Sequence, residues 1–207
     1  MNTRVLVAAV AALTTTSFAA QLQEVASFPN QQVTGVGVSQ RSGRIFVNFP
    51  YWSDDQPLSV AEIVNGQPRA FPDDEWNKYA VERTRGGEPG SPESHFVCVQ
   101  SVVVDDRDNL WILDPAAPKM QEIVKGGPKL VKVDLATNKV TQTIPFGEDV
   151  APAKSYLNDV RIDTANRKAF ITDSPKGAII VVDLVSGKAR RLLDDHKSRN
   201  LNQDLSW

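Results

Sequence analysis

The chain has 207 residues, of which 41% are apolar and 23% are charged, and its formal net charge is −2. This composition supports a folded core and excludes an intrinsically disordered chain, which combines few apolar residues with a high net charge. The nearly balanced charge also excludes the broad basic field on which nucleic-acid binding depends, so we expect no nucleic-acid partner.

The first 19 residues have the features of a signal peptide. Arg4 lies near the amino terminus, an apolar run follows over 5–13, and Ser17 and Ala19 place small side chains before the expected cleavage site. The run is much shorter than the roughly 20 residues that a membrane anchor needs. We therefore expect a mature chain that starts at Ala20, is secreted or periplasmic, and has no membrane contact after cleavage.

The first of three related segments is predicted to span residues 33–70. Its elements are a strand over 33–38, a turn at Ser42–Gly43, a strand over 45–49, a strand over 58–63 and a turn at Asn65–Gly66. Asn-Gly between alternating apolar residues is the strongest short-range hairpin signal in a sequence. A weak strand candidate over 22–28 precedes this segment and is expected to pair elsewhere in the fold.

Residues 71–95 interrupt the strand pattern with an insertion rich in proline, glycine and charge. A short helix is predicted over 74–83, with Asp73 as its amino-terminal cap and a loop from Gly86 onward. The acidic side chains are interpreted as solvated loop carboxylates rather than a cation site, because nothing in the sequence fixes their geometry.

The second and third segments are predicted over 97–145 and 156–195. Their strands are expected over 96–104, 110–113, 130–135 and 140–144, and over 160–163, 169–173, 179–184 and 189–193. Asp134 and Asp183 occupy matching places before hairpin turns, where aspartate side chains commonly accept bonds from backbone amides. A structural role is therefore expected for both.

Cys98 is the only cysteine in the chain, so an internal disulfide cannot form. A nucleophilic role would need a nearby histidine, and in an extended strand His95 would lie on the opposite face from Cys98. The thiol is therefore interpreted as a small buried apolar group.

The three segments repeat at a nearly constant spacing. Phe46, Trp111 and Phe170 stand at equivalent places, at separations of roughly 60 residues, which is typical of tandem β-units. Each unit has the pattern of a β-propeller blade, whose innermost strand lines a central channel. The predicted fold class is all-β, with about three blades over residues 33–70, 97–145 and 156–195 of a domain that covers 20–207.

Several stretches, in the same order, resemble the major royal jelly protein and Yellow family, in particular its bacterial members. They are FVNFPYW, PLSVAEI, FPDDEWN, NLWILDPA and the run from GGPKLVKVDL to GKARRLL. The resemblance covers most of residues 33–197 and does not extend into the ending SRNLNQDLSW. It implies a secreted β-propeller of the six-bladed type, with only about three blades in this chain, and hence a truncated member whose open ring exposes sheet faces and edges.

Polar residues at the start of the inner strands form the candidate site. Asn158 and Asp159 begin the inner strand of the third segment, and Gln100 and Ser101 occupy the comparable place one segment earlier. We predict that these four residues bind a small ligand at the channel mouth, where polar groups converge. Asn158 and Asp159 also offer oxygens that suit a divalent cation such as Ca²⁺ or Zn²⁺, and Asp159 is the candidate catalytic base. The alternative is that these groups only satisfy backbone partners around a wet channel.

Three functional hypotheses follow. The resemblance implies small-ligand binding, since relatives bind biogenic amines in the channel and insect Yellow members are linked to dopachrome conversion. The alternative is a metal-dependent lactonase similar to gluconolactonase and regucalcin, in which Asn158 and Asp159 would hold the cation together with a third carboxylate. The third hypothesis is a nonfunctional truncated remnant. The sequence does not name the ligand, the third metal ligand or the oligomeric state.

Overall fold

The computed structural model describes residues 22–54, 56–88 and 90–194. Within these residues, twelve strands form three four-stranded antiparallel sheets, and one α-helix separates the first sheet from the second in sequence. Strands that are neighbours in a sheet are also neighbours in the chain, so each sheet is a simple meander. The prediction of an all-β protein is confirmed at this level.

Of the membrane and signal-peptide predictions, only the first concerns residues that the structure describes. No helix of the described residues is long and apolar enough to cross a membrane. The predicted signal peptide, residues 1–19, lies outside the described residues, and so does the ending that the family resemblance does not reach.

The first sheet lies within residues 33–70. Its strands are β1 (Gly35–Val38), β2 (Ile45–Asn48), β3 (Val60–Val64) and β4 (Gln67–Ala70). Asn65 and Gly66 form the turn between β3 and β4, with φ of 52° and 75°, which is the conformation that Asn-Gly hairpins adopt. Residues 22–28 form no strand, so that prediction is wrong: Phe28 instead packs edge-on against Phe49, with ring centroids 5.2 Å apart.

The insertion contains the helix α1 (Asp74–Arg85). The Asp73 carboxylate accepts a hydrogen bond from the Trp76 amide at 2.8 Å and caps the first turn. Gly86 ends the helix in a left-handed conformation, with φ of 75°. The predicted helix and its cap are therefore confirmed, and the helix ends two residues later than predicted.

A buried asparagine attaches α1 to the first sheet. The Asn77 side-chain oxygen accepts hydrogen bonds from the amides of Ser59 and Val60 at 2.9 and 3.0 Å. Its amide nitrogen donates to the carbonyl oxygens of Phe71 and Asp73, both at 3.0 Å. One side chain thus satisfies four backbone groups at the start of β3 and of the helix.

The second sheet has a shorter first strand than predicted. Its strands are β5 (Ser101–Val104), β6 (Asn109–Asp114), β7 (Lys129–Asp134) and β8 (Lys139–Pro145). The amides of Val97 and Cys98 donate to the Asp114 carboxylate at 2.7 and 3.0 Å. The Asp114 side chain replaces a neighbouring strand as acceptor at Val97 and Cys98, and backbone bonding to β6 begins only at the Gln100 amide, which donates to the Leu113 carbonyl oxygen at 3.0 Å.

The third sheet has a longer first strand than predicted. Its strands are β9 (Leu157–Asp163), β10 (Lys168–Asp173), β11 (Ala178–Asp183) and β12 (Ala189–Leu192). The pairing of β9 with β10 changes register between Ile171 and Asp173. This irregularity lets β9 begin three residues before the predicted start, so Asn158 and Asp159 lie inside the strand.

The three sheets pack against one another in chain order. The cluster between the first and second sheets includes Phe46, Val60, Val102 and Ile112. The cluster between the second and third sheets includes Trp111, Leu130, Val160 and Ile180. β1 lies beside β5, and β5 lies beside β9. The first strands of all three sheets therefore run next to one another, and this arrangement brings the candidate residues together.

Candidate functional site

The four predicted site residues meet where β5 lies beside β9. Gln100 directly precedes β5, Ser101 begins it, and Asn158 and Asp159 lie near the start of β9. The Gln100 Nε2 atom donates to Asn158 Oδ1 at 3.1 Å, and the Ser101 hydroxyl donates to Asp159 Oδ1 at 2.8 Å. The two pairs of residues are thus joined side chain to side chain across neighbouring sheets.

The first sheet adds Thr34, which sequence reasoning missed. The Thr34 hydroxyl donates to the Gln100 carbonyl oxygen at 2.9 Å and accepts from Asn48 Nδ2 at 2.7 Å. Strand pairing opposite Phe46, Trp111 and Phe170 makes Thr34, Gln100 and Asn158 equivalent positions of the repeat. The repeat spacing was the signal that could have identified it. We call Thr34, Gln100, Ser101, Asn158 and Asp159 the inner polar row.

Both carboxylate oxygens of Asp159 have partners within the chain. The Asp159 Oδ1 atom accepts from Ser101 and from the Val160 amide at 2.9 Å. The Arg161 guanidinium lies 2.7 Å from Asp159 Oδ2. A carboxylate oxygen can accept more than one contact, so a cation or a proton at Asp159 Oδ2 would compete with Arg161.

The inner polar row does not fit a metal centre by itself. Among the residues that the structure describes, no group of three or more His, Cys, Asp or Glu side chains could hold a metal ion. Within the row, Asp159 is the single carboxylate, and it is already paired with a cation. A Ca²⁺ or Zn²⁺ site of the kind that lactone hydrolysis requires would need further anionic oxygens.

A buried tyrosine extends the row toward a tryptophan. The Trp52 indole N–H donates to the Tyr156 hydroxyl oxygen at 2.8 Å, and the Tyr156 hydroxyl donates to Gln100 Oε1 at 2.7 Å. Burial raises the pKa of the Tyr156 phenol well above its ordinary value, so the group remains a hydrogen-bond donor. Gln100 then donates to Asn158, which makes one continuous chain of hydrogen bonds from Trp52 to the third sheet.

Two cavities border the inner polar row and share Gln100 and Asn158. The first, of about 360 Å³, is lined by polar and small residues that include Thr34, Gly35, Ser101 and Asp159. The second, of about 660 Å³, is lined by Trp52, Met120, Glu122, Lys154 and Tyr156 among others. A molecule in the second cavity would meet amide groups at one end and aromatic or apolar side chains elsewhere, which is the usual make-up of a small-ligand site.

Cys98 lies near this network and takes no reactive form. The thiol is buried, and its pKa is raised to about 12, chiefly by loss of solvation. His95 contacts Glu75, with Nε2 and Oε1 3.0 Å apart. The thiolate is the nucleophilic form, so a thiol with this pKa stays inert at neutral pH. The sequence interpretation of a small buried group is confirmed.

The repeated aspartates at the hairpin turns bond to nearby backbone. Asp134 accepts from the Ala136 amide and the Thr137 hydroxyl at 3.0 and 2.9 Å. Asp183 accepts from the Ser186 amide at 2.8 Å, and a hydrogen bond from Lys168 holds its pKa well below the ordinary value. Both therefore stabilise turns, as predicted.

Buried polar residues at the ends of the second strands also escaped the sequence analysis. Asn48, Asp114 and Asp173 end the second strand of each sheet, and all three are buried. Asp114 is paired with buried Lys129 at 3.0 Å, and Asp173 with Arg191 at 2.9 Å. These residues bond to the segments that lead into the first strands of the sheets, so they help to position the inner polar row.

Comparison with known proteins gives a family and distant structural neighbours. The model of the major royal jelly protein family matches residues 97–199, whereas no curated protein shows a significant match. An extracellular domain ascribed to a hybrid two-component system of B. thetaiotaomicron aligns with 82% of this chain at 11% identity and a TM-score of 0.46. Another, ascribed to a one-component system of that organism, aligns with 82% at 12% identity and a TM-score of 0.47.

The chain spans only 18% of the length of either solved structure. The family match begins at Val97, where the second sheet is entered, and includes the second and third sheets with Gln100, Ser101, Asn158 and Asp159. It overlaps the second and third segments of the region in which the quoted motifs resemble that family and ends two residues beyond that region. Through residues 97–199, this chain belongs to the major royal jelly protein family.

Proposed function

We propose that this chain is an exported, small-ligand-binding member of its family, built as part of a β-propeller. The ligand contacts the inner polar row and occupies the adjoining cavity beside Trp52 and Tyr156. In a propeller the first strand of each sheet faces a shared channel, and the contacts between β1, β5 and β9 support this arrangement.

One observation carries the proposal: polar side chains from separate sheets meet beside a cavity of ligand size. Gln100 and Asn158 border both cavities and are bonded to each other at 3.1 Å. The Gln100 side chain is held by Tyr156 on one side and by Asn158 on the other, so its amide group is oriented before a ligand arrives. Such preorganisation reduces the entropy lost on binding.

The chemistry of the lining favours a small ligand with a polar end and an apolar or aromatic body. Amide groups of Gln100 and Asn158 donate and accept hydrogen bonds, while Trp52 and Tyr156 offer aromatic surface. Export is supported by the signal-peptide pattern of residues 1–19. Lactone hydrolysis through a cation receives no comparable support, because Asp159 is the single carboxylate of the row.

The binding experiment uses isothermal calorimetry with dopamine as an amine probe and glucono-lactone as a lactone probe, each with and without Ca²⁺. We expect Asn158→Ala to weaken binding of the preferred probe by tenfold or more, because a polar contact in a desolvated site is lost. The matched control is Asn166→Ala, a turn asparagine of the same sheet, which should change the affinity less than twofold.

Two outcomes would count against the proposal. The first is a wild-type protein that binds neither probe in either condition. The second is an Asn158→Ala variant with unchanged affinity. Lactone turnover that requires Ca²⁺ and disappears in Asp159→Asn would instead favour the hydrolase. Sequencing the amino terminus of the protein recovered after expression in a secreting host tests export, with Ala20 as the expected first residue.

A further inference from the structure

The two end faces of the three-sheet array carry residues that are buried at every internal contact between sheets. Strand pairing defines the equivalent positions, because Phe46, Trp111 and Phe170 lie opposite Gly37, Val103 and Arg161 in the preceding strands. It follows that Val36, Val102 and Val160 also occupy one repeat position, each in the first strand of its sheet.

The aromatic position lies on the face that each sheet turns toward the next one. Phe46 is 0% exposed and Trp111 is 2% exposed, because the second and third sheets cover them. Phe170 has the same place in the third sheet and is 42% exposed. Half-buried Ile179 and Val181 and exposed Leu192 share this face with it by register, and we call these four residues the aromatic end face.

The aliphatic position lies on the opposite face, toward the preceding sheet. Val102 is 4% exposed and Val160 is 0% exposed, since the first and second sheets cover them. Val36 is 61% exposed at the equivalent place of the first sheet. It forms the aliphatic end face together with exposed Val38 and half-buried Ile45 and Ile63 on the same side of the sheet, while Phe28 and Val33 pack in the cluster that buries the neighbouring Val47.

We propose that the aromatic end face of one chain packs on the aliphatic end face of a second copy. Both internal contacts of the molecule join an aromatic position to an aliphatic one, and the described residues leave one of each kind exposed. The chain therefore carries both halves of an interface that it already forms twice internally. Head-to-tail contacts of this type join unlike surfaces, so two or more copies can close into a ring.

The second copy would also extend the inner polar row. Within the chain, Thr34 of the first sheet donates to Gln100 of the second, and Gln100 donates to Asn158 of the third. The same packing across the new interface brings Thr34 of the second copy next to Asn158 and Asp159. The ligand site would then receive groups from both chains.

The test is the mass of the purified protein in solution, measured by light scattering after size-exclusion chromatography at micromolar concentration. We expect twice the mass of one chain, which is 22.7 kDa before removal of the predicted signal peptide, or a higher whole multiple. Phe170→Glu and Val36→Glu each place a charge on one end face, and each variant alone should have the mass of a single chain. An equimolar mixture should associate again, because each variant keeps the face that the other has lost.

The controls separate this arrangement from general stickiness and from misfolding. Val185→Glu changes an apolar residue of similar exposure at the turn before β12, outside both end faces, and should remain associated. Circular dichroism verifies folding, and Leu192→Glu and Val38→Glu replace either variant that fails it. A wild-type mass of one chain would overturn the proposal. So would a Val36→Glu variant that remains associated, since like faces would then be paired.

Discussion

At the scale of single residues, burial fixes the protonation of two groups beside the candidate site. Loss of solvation raises the pKa of Cys98 to about 12 and raises the pKa of Tyr156 well above its ordinary value. In the unfolded chain these groups titrate near their ordinary values of about 8.5 and 10. Above those values the unfolded chain has released protons that the folded chain retains, so rising pH favours unfolding.

We therefore expect the free energy of unfolding to fall as the pH rises from 8 to 11. Each group contributes a slope of at most about 1.4 kcal/mol per pH unit once its unfolded form is deprotonated. Urea titrations at pH 8, 9, 10 and 11 measure this directly. In Cys98→Ala the fall between pH 8 and 10 should be smaller, since Tyr156 begins to contribute only near pH 10. A variant that loses stability as steeply as the wild type over that interval would contradict this assignment.

At the scale of elements, side chains rather than regular ladders secure the segments that join the sheets. Asn77 serves four backbone groups between α1 and β3, and Asp114 takes the amides of Val97 and Cys98. Each interaction replaces backbone pairing at a point where a loop is buried. Loss of either partner should therefore cost more than loss of an ordinary surface contact.

Asn77→Ala should lower the free energy of unfolding by about 2–4 kcal/mol, because the buried amides of Ser59 and Val60 lose their acceptor. Chemical denaturation measures the change. Lys78→Ala, one position along the same helix, removes an exposed side chain with a weak ion pair to Glu75 and should stay within about 0.5 kcal/mol of the wild type. Equal effects from both variants would contradict the role assigned to the Asn77 side chain.

Asp114→Ala should be more damaging, at about 3–5 kcal/mol, because it leaves the buried Lys129 ammonium without its counterion. Denaturant unfolding of Asp114→Ala checks the loss, and Asp106→Ala at the exposed turn before β6 is the control. The double variant Asp114→Asn with Lys129→Met removes both buried charges and keeps an amide oxygen as acceptor for Val97 and Cys98, so it should recover part of the loss. A double variant less stable than Asp114→Ala would show that the ion pair itself is needed.

The sequence predicted elements where local rules apply and missed those set by long-range contacts. Alternating strands, the Asn65–Gly66 turn and the cap at Asp73 depend on neighbours in the chain, so they could be identified. The first strand of the second sheet was predicted too long because the distant Asp114 carboxylate captures its amides. Residues 22–28 have strand composition, but Phe28 packs on Phe49 without forming a ladder.

The same distinction between local rules and long-range contacts applies to the candidate site. Asn158, Asp159, Gln100 and Ser101 could be placed together because the repeat aligns the starts of the inner strands. The pairing of Asp159 with Arg161 was missed, although residues two apart in a strand lie on the same face. Tyr156 was also missed, since its partners Trp52 and Gln100 are 104 and 56 positions away in the chain.

At the scale of the whole molecule, the array is held by two internal contacts between sheets and has two exposed ends. If a second copy covers those ends, folding and association become linked. We then expect the melting temperature of the wild type to rise by about 2–4 °C for each tenfold increase in protein concentration. Calorimetric scans over a hundredfold range measure this. Phe170→Glu should melt at a temperature independent of concentration, and an equal dependence in both proteins would argue against the interface.

Thr34, Gln100 and Asn158 hold one position of the repeat with three different side chains: a hydroxyl and two amides of unequal length. The residues that pack the sheets together occupy other positions of the repeat. Substitutions at this one position can therefore change the chemistry of the inner polar row while the packing residues stay the same. Selection for a new ligand specificity would thus act on one residue in each repeat. Ligand specificity could be engineered by substituting these residues, without changes elsewhere in the fold.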